Sequence, residues 1–313
     1  MKRVLTEVAL IPVVLLLVLK APLWLFALVV AAIIVLALHE YLGIVEAAGI
    51  KPFRRQTYAL SLVPILLLFY MMWRTSNPPA ARQYWTYSLG GYLLQIWWTF
   101  IVLAPLIFGV LLVFRKDLRG GLSSVAASIF GALYVGLSLS LLIVLQMNFE
   151  ITLFLFLLFS VWAGDIAAYY VGKNIGKHKL APIVSPNKSW EGAIASVVAS
   201  VAVAYLMLHF HPQLIDFILR IEGASRGERE IVARYVTPIR SIHIVCLGIL
   251  TNVAAQFGDL FESALKRGAG VKDSGAILPG HGGLLDRIDA LLFAIPVVWY
   301  YATQTGLLMK MYS

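Results

Sequence analysis

The chain has 313 residues, 60% of them apolar and only 13% charged, with a mean hydropathy of +0.85. Soluble domains carry about 25% charged residues, and surface scales too steeply with size to hide this much apolar area, so a soluble globule, a disordered chain and a coiled coil are excluded. The single cysteine, Cys246, excludes a disulfide framework and a cysteine-based zinc site.

About nine apolar stretches predict an all-α integral membrane protein, a polytopic bundle of transmembrane helices. In chain order they are 5–19, 22–39, 57–73, 90–114, 121–146, 149–171, 190–210, 241–262 and 284–306. The first follows Lys2 and Arg3, contains Pro12 and is followed by no small-residue cleavage site, so it reads as an uncleaved span. The net charge of +9 reads chiefly as loop charge on the cytoplasmic side of a membrane, with anionic headgroups or phosphates as partners and no nucleic acid. Assigned to alternate loops, fifteen Lys and Arg fall on the side of the N-terminus and nine on the other. The N-terminus is therefore expected in the cytoplasm and the C-terminus outside. The loop 211–240 mixes both signs and is expected as a solvated connection with room for a short helix on the far face.

Acids divide the chain unevenly. Residues 1–148 hold Glu7, Glu40, Glu46 and Asp117, and 149–313 hold the other twelve of the sixteen. The expected organisation is an N-terminal set of transmembrane helices over 1–148 and a C-terminal transmembrane catalytic region over 149–313. Ionisable residues within spans are costly and point to function. Asp165 lies late in the sixth stretch, Asp259 and Glu262 at the end of the eighth, and Asp286 and Asp289 at the start of the ninth. By the loop count all five approach the inner face. Oxygen donors without His or Cys pairs suggest Mg²⁺ or Mn²⁺.

Two connections on that side are basic. The stretch from Lys266 to Asp286 reads KRGAGVKDSGAILPGHGGLLD. Its glycines would let backbone N–H groups approach a phosphate, and its Lys and Arg would supply charge. The loop after Asp165 holds Lys173, Lys177, His178, Lys179 and Lys188, with Ser185-Pro186 as a turn signal.

The stretch SALKRGAGVKDSGAILPGHGGLLDRID, residues 263–289, closely resembles the signature of the phosphatidate cytidylyltransferase family (CDP-diacylglycerol synthases), and every specified position of that signature is met. GDLFES at 258–263, SPNKSWEG at 185–192 and AGDIAAYYVGKNIGKHKL at 163–180 are also similar to the family. Departures are Gly164 and Ile166, where the family has hydroxyl residues around the aspartate, and Asn187, where it often has lysine. The resemblance implies the reaction CTP + phosphatidate → CDP-diacylglycerol + pyrophosphate, divalent-metal dependence and a cytoplasmic active site in a bacterial inner membrane. It leaves open an additional monovalent cation and a homodimer.

On that basis Asp259 and Asp286 are the leading expected metal ligands, with Asp289 and Asp165 next. Lys266, Arg267, Lys272 and Arg287 are expected on the phosphates of CTP or phosphatidate. His281, Gly282 and Gly283 would line the phosphate pocket, with Asp273 orienting a basic partner. Ser185, Lys188 and Ser263 are expected substrate contacts. Two alternatives stay open: a related CDP-lipid synthase or CTP-dependent polyprenol kinase, and an ion transporter whose intramembrane acids form a relay.

Overall fold

The computed structural model describes residues 2–75, 100–147, 151–227, 229–230, 239–275, 282–305 and 307. The described chain is overwhelmingly helical: α1 (Lys2–Lys20), α2 (Leu23–Ala47), α3 (Arg54–Thr75), α4 (Phe100–Val113), α5 (Gly121–Gly131), α6 (Ser138–Met147), α7 (Ile151–Ile175), α8 (Trp190–Ala204), α9 (His211–Glu222), α10 (Ser241–Gly268) and α11 (Leu285–Gln304). A π-helical turn, Ala132–Leu137, joins α5 to α6, and another, Tyr205–His209, extends α8. A helix stands at every expected apolar stretch, although 76–99, where the fourth was expected to begin, lies outside the described residues. Among the described residues, five helical stretches are long and apolar enough to cross a membrane: Leu23–Ala47, Gly121–Gln146, Ile151–Ile175, Trp190–His209 and Ser241–Gly268.

The expectation of helices alone missed one feature. Strands β1 (Lys179–Ala181) and β2 (Ser185–Ser189) form an antiparallel hairpin after α7. The turn falls at Pro182–Val184 and not at Ser185-Pro186. A two-stranded ribbon has free edges, and Pro186 is tolerated there because a residue facing outward needs no N–H. Ser189 then caps α8, its hydroxyl accepting from Gly192 N–H at 3.2 Å.

The chain divides into two compact units, one of residues 1–23, 144–264 and 288–313, the other of 24–143 and 265–287. In the first unit α7 packs along α8, and α8 meets α10 along a seam of small and polar residues. Ser200 donates to the carbonyl of Gly248 at 3.0 Å, Asn252 to Ser196 at 2.9 Å, and Gln256 to the carbonyl of Ala193 at 3.1 Å. Positions 248, 252 and 256 recur every four residues, so one face of α10 carries the whole ladder. Such seams suit an apolar solvent, where small side chains permit close approach and an unmade polar contact is costly. Gly164 belongs to this seam: a Cβ there would meet the Asn252 amide and the Ser196 hydroxyl. The space beside Asp165 where the family pattern has a hydroxyl residue is thus filled by the Asn252–Ser196 pair.

In the second unit α2 buries Phe26, Val30, Ile34, Leu38, Tyr41, Leu42 and Val45. Tyr41 lies over Gly131, where a Cβ would strike its ring, and donates to the carbonyl of Ala127 at 3.0 Å. Phe53 N–H donates to Ser128 Oγ at 2.9 Å, and Phe100, Ala104, Ala132 and Leu137 form a buried cluster.

Candidate active site

The first unit carries Asp165, Ser185, Lys188, Asp259, Ser263 and Asp289. α7, α10 and α11 bring Asp165, Asp259, Glu262 and Asp289 into one electrostatic neighbourhood, for Asp289 feels the charge of Asp259, Glu262 and Asp165. Asp289 is 8% exposed and Glu262 fully buried, whereas Asp165 and Asp259 reach the surface of the unit. Lys188, carried by β2, forms an ion pair with Asp259 and also acts on Asp165. The approach of α10 to α11 is set by Gly258: a Cβ there would collide with the backbone carbonyl of Asp289 and crowd Ala290 Cα. Ser185 is half-buried on β2 and Ser263 half-buried on α10. The hairpin is fastened at its base by Glu191, which accepts from His178 N–H at 3.2 Å and meets His178 Nδ1 at 2.7 Å.

The second unit carries Lys266, Arg267, Lys272, Asp273, Gly282, Gly283, Asp286 and Arg287. His281 lies outside the described residues. Lys266 donates to Asp286 Oδ1 at 2.6 Å, with both side chains largely buried. Asp286 Oδ2 accepts from Gly283 N–H at 2.9 Å and Ser274 N–H at 3.3 Å. An acid in the first turn of a helix gains from free amides and the helix dipole. Gly282 has a φ of 80°, a left-handed conformation that suits glycine, and a Cβ there would lie 2.9 Å from Asp286 Oδ2. Arg267, Lys272, Asp273 and Arg287 are exposed.

Sequence reasoning missed Glu40. It sits in α2 at 3% exposure and accepts from Leu285 N–H at 2.7 Å, Leu284 N–H at 3.0 Å and the Ser274 hydroxyl at 3.2 Å. The amides at the start of α11, expected to be offered to phosphate, are therefore bonded to carboxylates of the chain. The available signal was an acid at the edge of an apolar stretch; reading that stretch as ending at 39 placed Glu40 outside the helix, which runs on to Ala47.

Among the described residues no three His, Cys, Asp or Glu side chains are gathered tightly enough to enclose a metal ion. The donor chemistry nevertheless suits one: four carboxylates share one electrostatic neighbourhood, and hard oxygen donors favour Mg²⁺ or Mn²⁺.

Known proteins resemble the chain over part of its length. It is 39% identical to a phosphatidate cytidylyltransferase of Haemophilus influenzae over 149 residues, 48% of this chain and 45% of that protein. It is 37% identical to one of Brucella suis biovar 1 over 196 residues, 63% of each, and 35% identical to one of Bacillus subtilis over 171 residues, 54% of this chain and 55% of the other. The matched stretches thus span from under half to under two thirds of these relatives. The sequence profile of the cytidylyltransferase family matches residues 1–304, and with so much of its length matched the chain belongs to that family.

Proposed function

We propose that the protein is a phosphatidate cytidylyltransferase, converting CTP and phosphatidate to CDP-diacylglycerol and pyrophosphate at the cytoplasmic edge of a bacterial inner membrane. The observation that carries this reading is the concentration of Asp165, Asp259, Glu262 and Asp289, with Lys188 paired to Asp259. A cluster of carboxylates attracts divalent cations, and a nucleotide triphosphate brings such cations with it. The names of the relatives supply the substrates.

Phosphatidate's phosphomonoester has a second pKa near ~6 by analogy with phosphoserine, so its oxygen is already a nucleophile at neutral pH. That oxygen attacks the α-phosphorus of CTP, and the bond from the α-phosphorus to the bridging oxygen of the β-phosphate breaks. Pyrophosphate leaves with that electron pair. Catalysis is then mainly positioning and charge stabilisation. Asp259, Asp289 and Asp165 are the proposed ligands of Mg²⁺ or Mn²⁺, whose contribution is to neutralise the phosphates and the leaving pyrophosphate. Asp286 is a fourth candidate, and there the ion would replace Lys266 at Oδ1. Lys188 lies beside the acids and is placed to move from Asp259 to a substrate phosphate. Ser185 and Ser263 are proposed to hydrogen-bond substrate. Lys266, Arg267, Lys272 and Arg287 are proposed to hold phosphate, with Asp273 orienting one of them and His281, Gly282 and Gly283 lining the approach. Nine spans, a cytoplasmic N-terminus, an added monovalent cation and a homodimer complete the proposal.

The test is purified protein in detergent supplied with labelled CTP and phosphatidate. Lipid-soluble CDP-diacylglycerol and pyrophosphate should form in equal amounts with Mg²⁺ and cease with a chelator. A folded preparation that forms neither overturns the reading.

A further inference from the structure

We propose that Glu40 is a positioning residue of the reaction, which holds Ser274 and the start of α11 in place from the far end of the sequence. The inference rests on the cytidylyltransferase reading for its kinetic consequence and on geometry alone for its structural one.

Glu40 bonds Ser274 and the start of α11 at once. Its Oε2 takes the Ser274 hydroxyl at 3.2 Å and Leu285 N–H at 2.7 Å, and its Oε1 takes Leu284 N–H at 3.0 Å. Ser274 is held a second time through its own N–H on Asp286, and Asp286 holds Lys266. Glu40, Ser274, Asp286 and Lys266 are therefore one connected network, and a change at Glu40 reaches a lysine proposed to contact phosphate through two intermediates. The carboxylate also explains two glycines of the signature. A Cβ at Gly275 would lie 2.5 Å from Glu40 Oε1, and one at Gly283 would lie 2.5 Å from Glu40 Oε2 and collide with Ser274 Oγ. Neither glycine has a positive φ, so what they provide is room for Glu40 and not an unusual backbone. The buried carboxylate occupies the start of α11 as an anion would, leaving the exposed Lys272, Asp273 and Arg287 to face substrate.

Glu40→Gln keeps the shape and removes one acceptor, turning an amide N–H toward backbone donors. The variant should lower kcat roughly ten- to hundredfold while KM for CTP changes by about twofold or less, as expected when reacting groups are misplaced and ground-state binding survives. Trypsin cleavage after Lys272 in the full-length protein in detergent should accelerate about tenfold or more, because the bond that holds Ser274 beside it is lost. Gly275→Ala should cost much thermal stability in the parent protein and little in a Glu40→Ala background, a coupling that reports the contact itself. Ser274→Ala, which removes only the hydroxyl bond, should move kcat and cleavage the same way by less, and serves if Glu40→Gln does not fold. Parental kcat in folded Glu40→Gln overturns the positioning role even if cleavage accelerates. Unchanged cleavage overturns it even if kcat falls. A parent protein that makes no CDP-diacylglycerol overturns the activity reading instead, and cleavage and the Gly275 coupling then decide alone whether Glu40 holds Ser274 and the start of α11.

Discussion

Asp289 is a buried acid set among other acids. It is 8% exposed and lies near Asp259, Glu262 and Asp165, so its ionised form bears both the desolvation of a buried charge and the repulsion of like charges. Such a residue persists where function needs it. Asp289→Asn, freed of the charge, should melt at a higher temperature than the parent protein in chelator. Mg²⁺ should raise the melting temperature of the parent and leave the variant nearly unmoved, while CDP-diacylglycerol formation by the variant falls at least about a hundredfold. A variant no more stable than the parent in chelator would show that the acids do not repel one another. At this scale much of the site was legible, because acids are rare in an apolar chain and each one near a span stands out. The role of Glu40 was not legible, since its partners Ser274, Leu284 and Leu285 lie more than two hundred residues away. The glycines were legible as glycines, but the sequence could not show that a carboxylate, and not a phosphate, occupies the space beside Gly275 and Gly283.

At the scale of elements, helices were legible from apolar length, and their spacing was not. Spacing is set where backbones touch, as at Gly258 against Asp289 and Gly248 against Val201. Gly258→Ala should destabilise by more than about 2 kcal/mol, because backbone cannot yield as a side-chain end can. Gly43→Ala, in α2 with nothing within 4 Å of the added Cβ, should be neutral or stabilise by about 0.5–1 kcal/mol through helix propensity. Comparing unfolding of the two variants in detergent separates close packing from helix content. α9 offers a pH test. His211 is fully buried at its start, neither ring nitrogen has a hydrogen-bond partner among the described residues, and burial pushes the imidazole down to about 4. The unfolded chain binds a proton below the ordinary value of 6.5 that the folded chain refuses, so stability should fall as pH drops from there toward 4. Replacing His211 by Phe should reduce the loss of melting temperature between about pH 7.5 and about pH 5. An equal loss in both proteins would remove His211 from the account. The β1–β2 hairpin was illegible for a plain reason: its strands are short, and Pro186 resembles punctuation.

At the scale of the molecule, the signature segment 265–287 belongs to the compact unit otherwise made of 24–143. The first half of the sequence therefore contributes structure to the segment that the chemistry singles out, which a division by acid content does not suggest. Orientation is where local and global signals conflict. The last turn of α7 and the connection after it hold Lys173, Lys177, Lys179 and Lys188, four cations, while the stretch after α8 holds Arg220, Arg226, Arg229, Arg234 and Arg240, five. Taken alone, α8 would point its α9 end inward. Asp216 pairs with Arg220 and Arg229, and Glu230 with Arg226, but acids count for little in the positive-inside rule. The whole chain decides the other way, fifteen cations against nine, and neighbouring spans cannot be reversed one at a time. The proposed topology therefore puts the hairpin inside and α9 outside. With Cys246 replaced by Ser, cysteines at Asn174 and at Arg226 flank the single expected span built on α8, so they must lie on opposite sides whatever α1 does. A membrane-impermeant maleimide should label position 226 in intact spheroplasts and position 174 only after permeabilisation. The reverse pattern would mean that the local excess prevails, and it would put the hairpin, Lys188 and the acids beside it on the side of the membrane that lacks CTP.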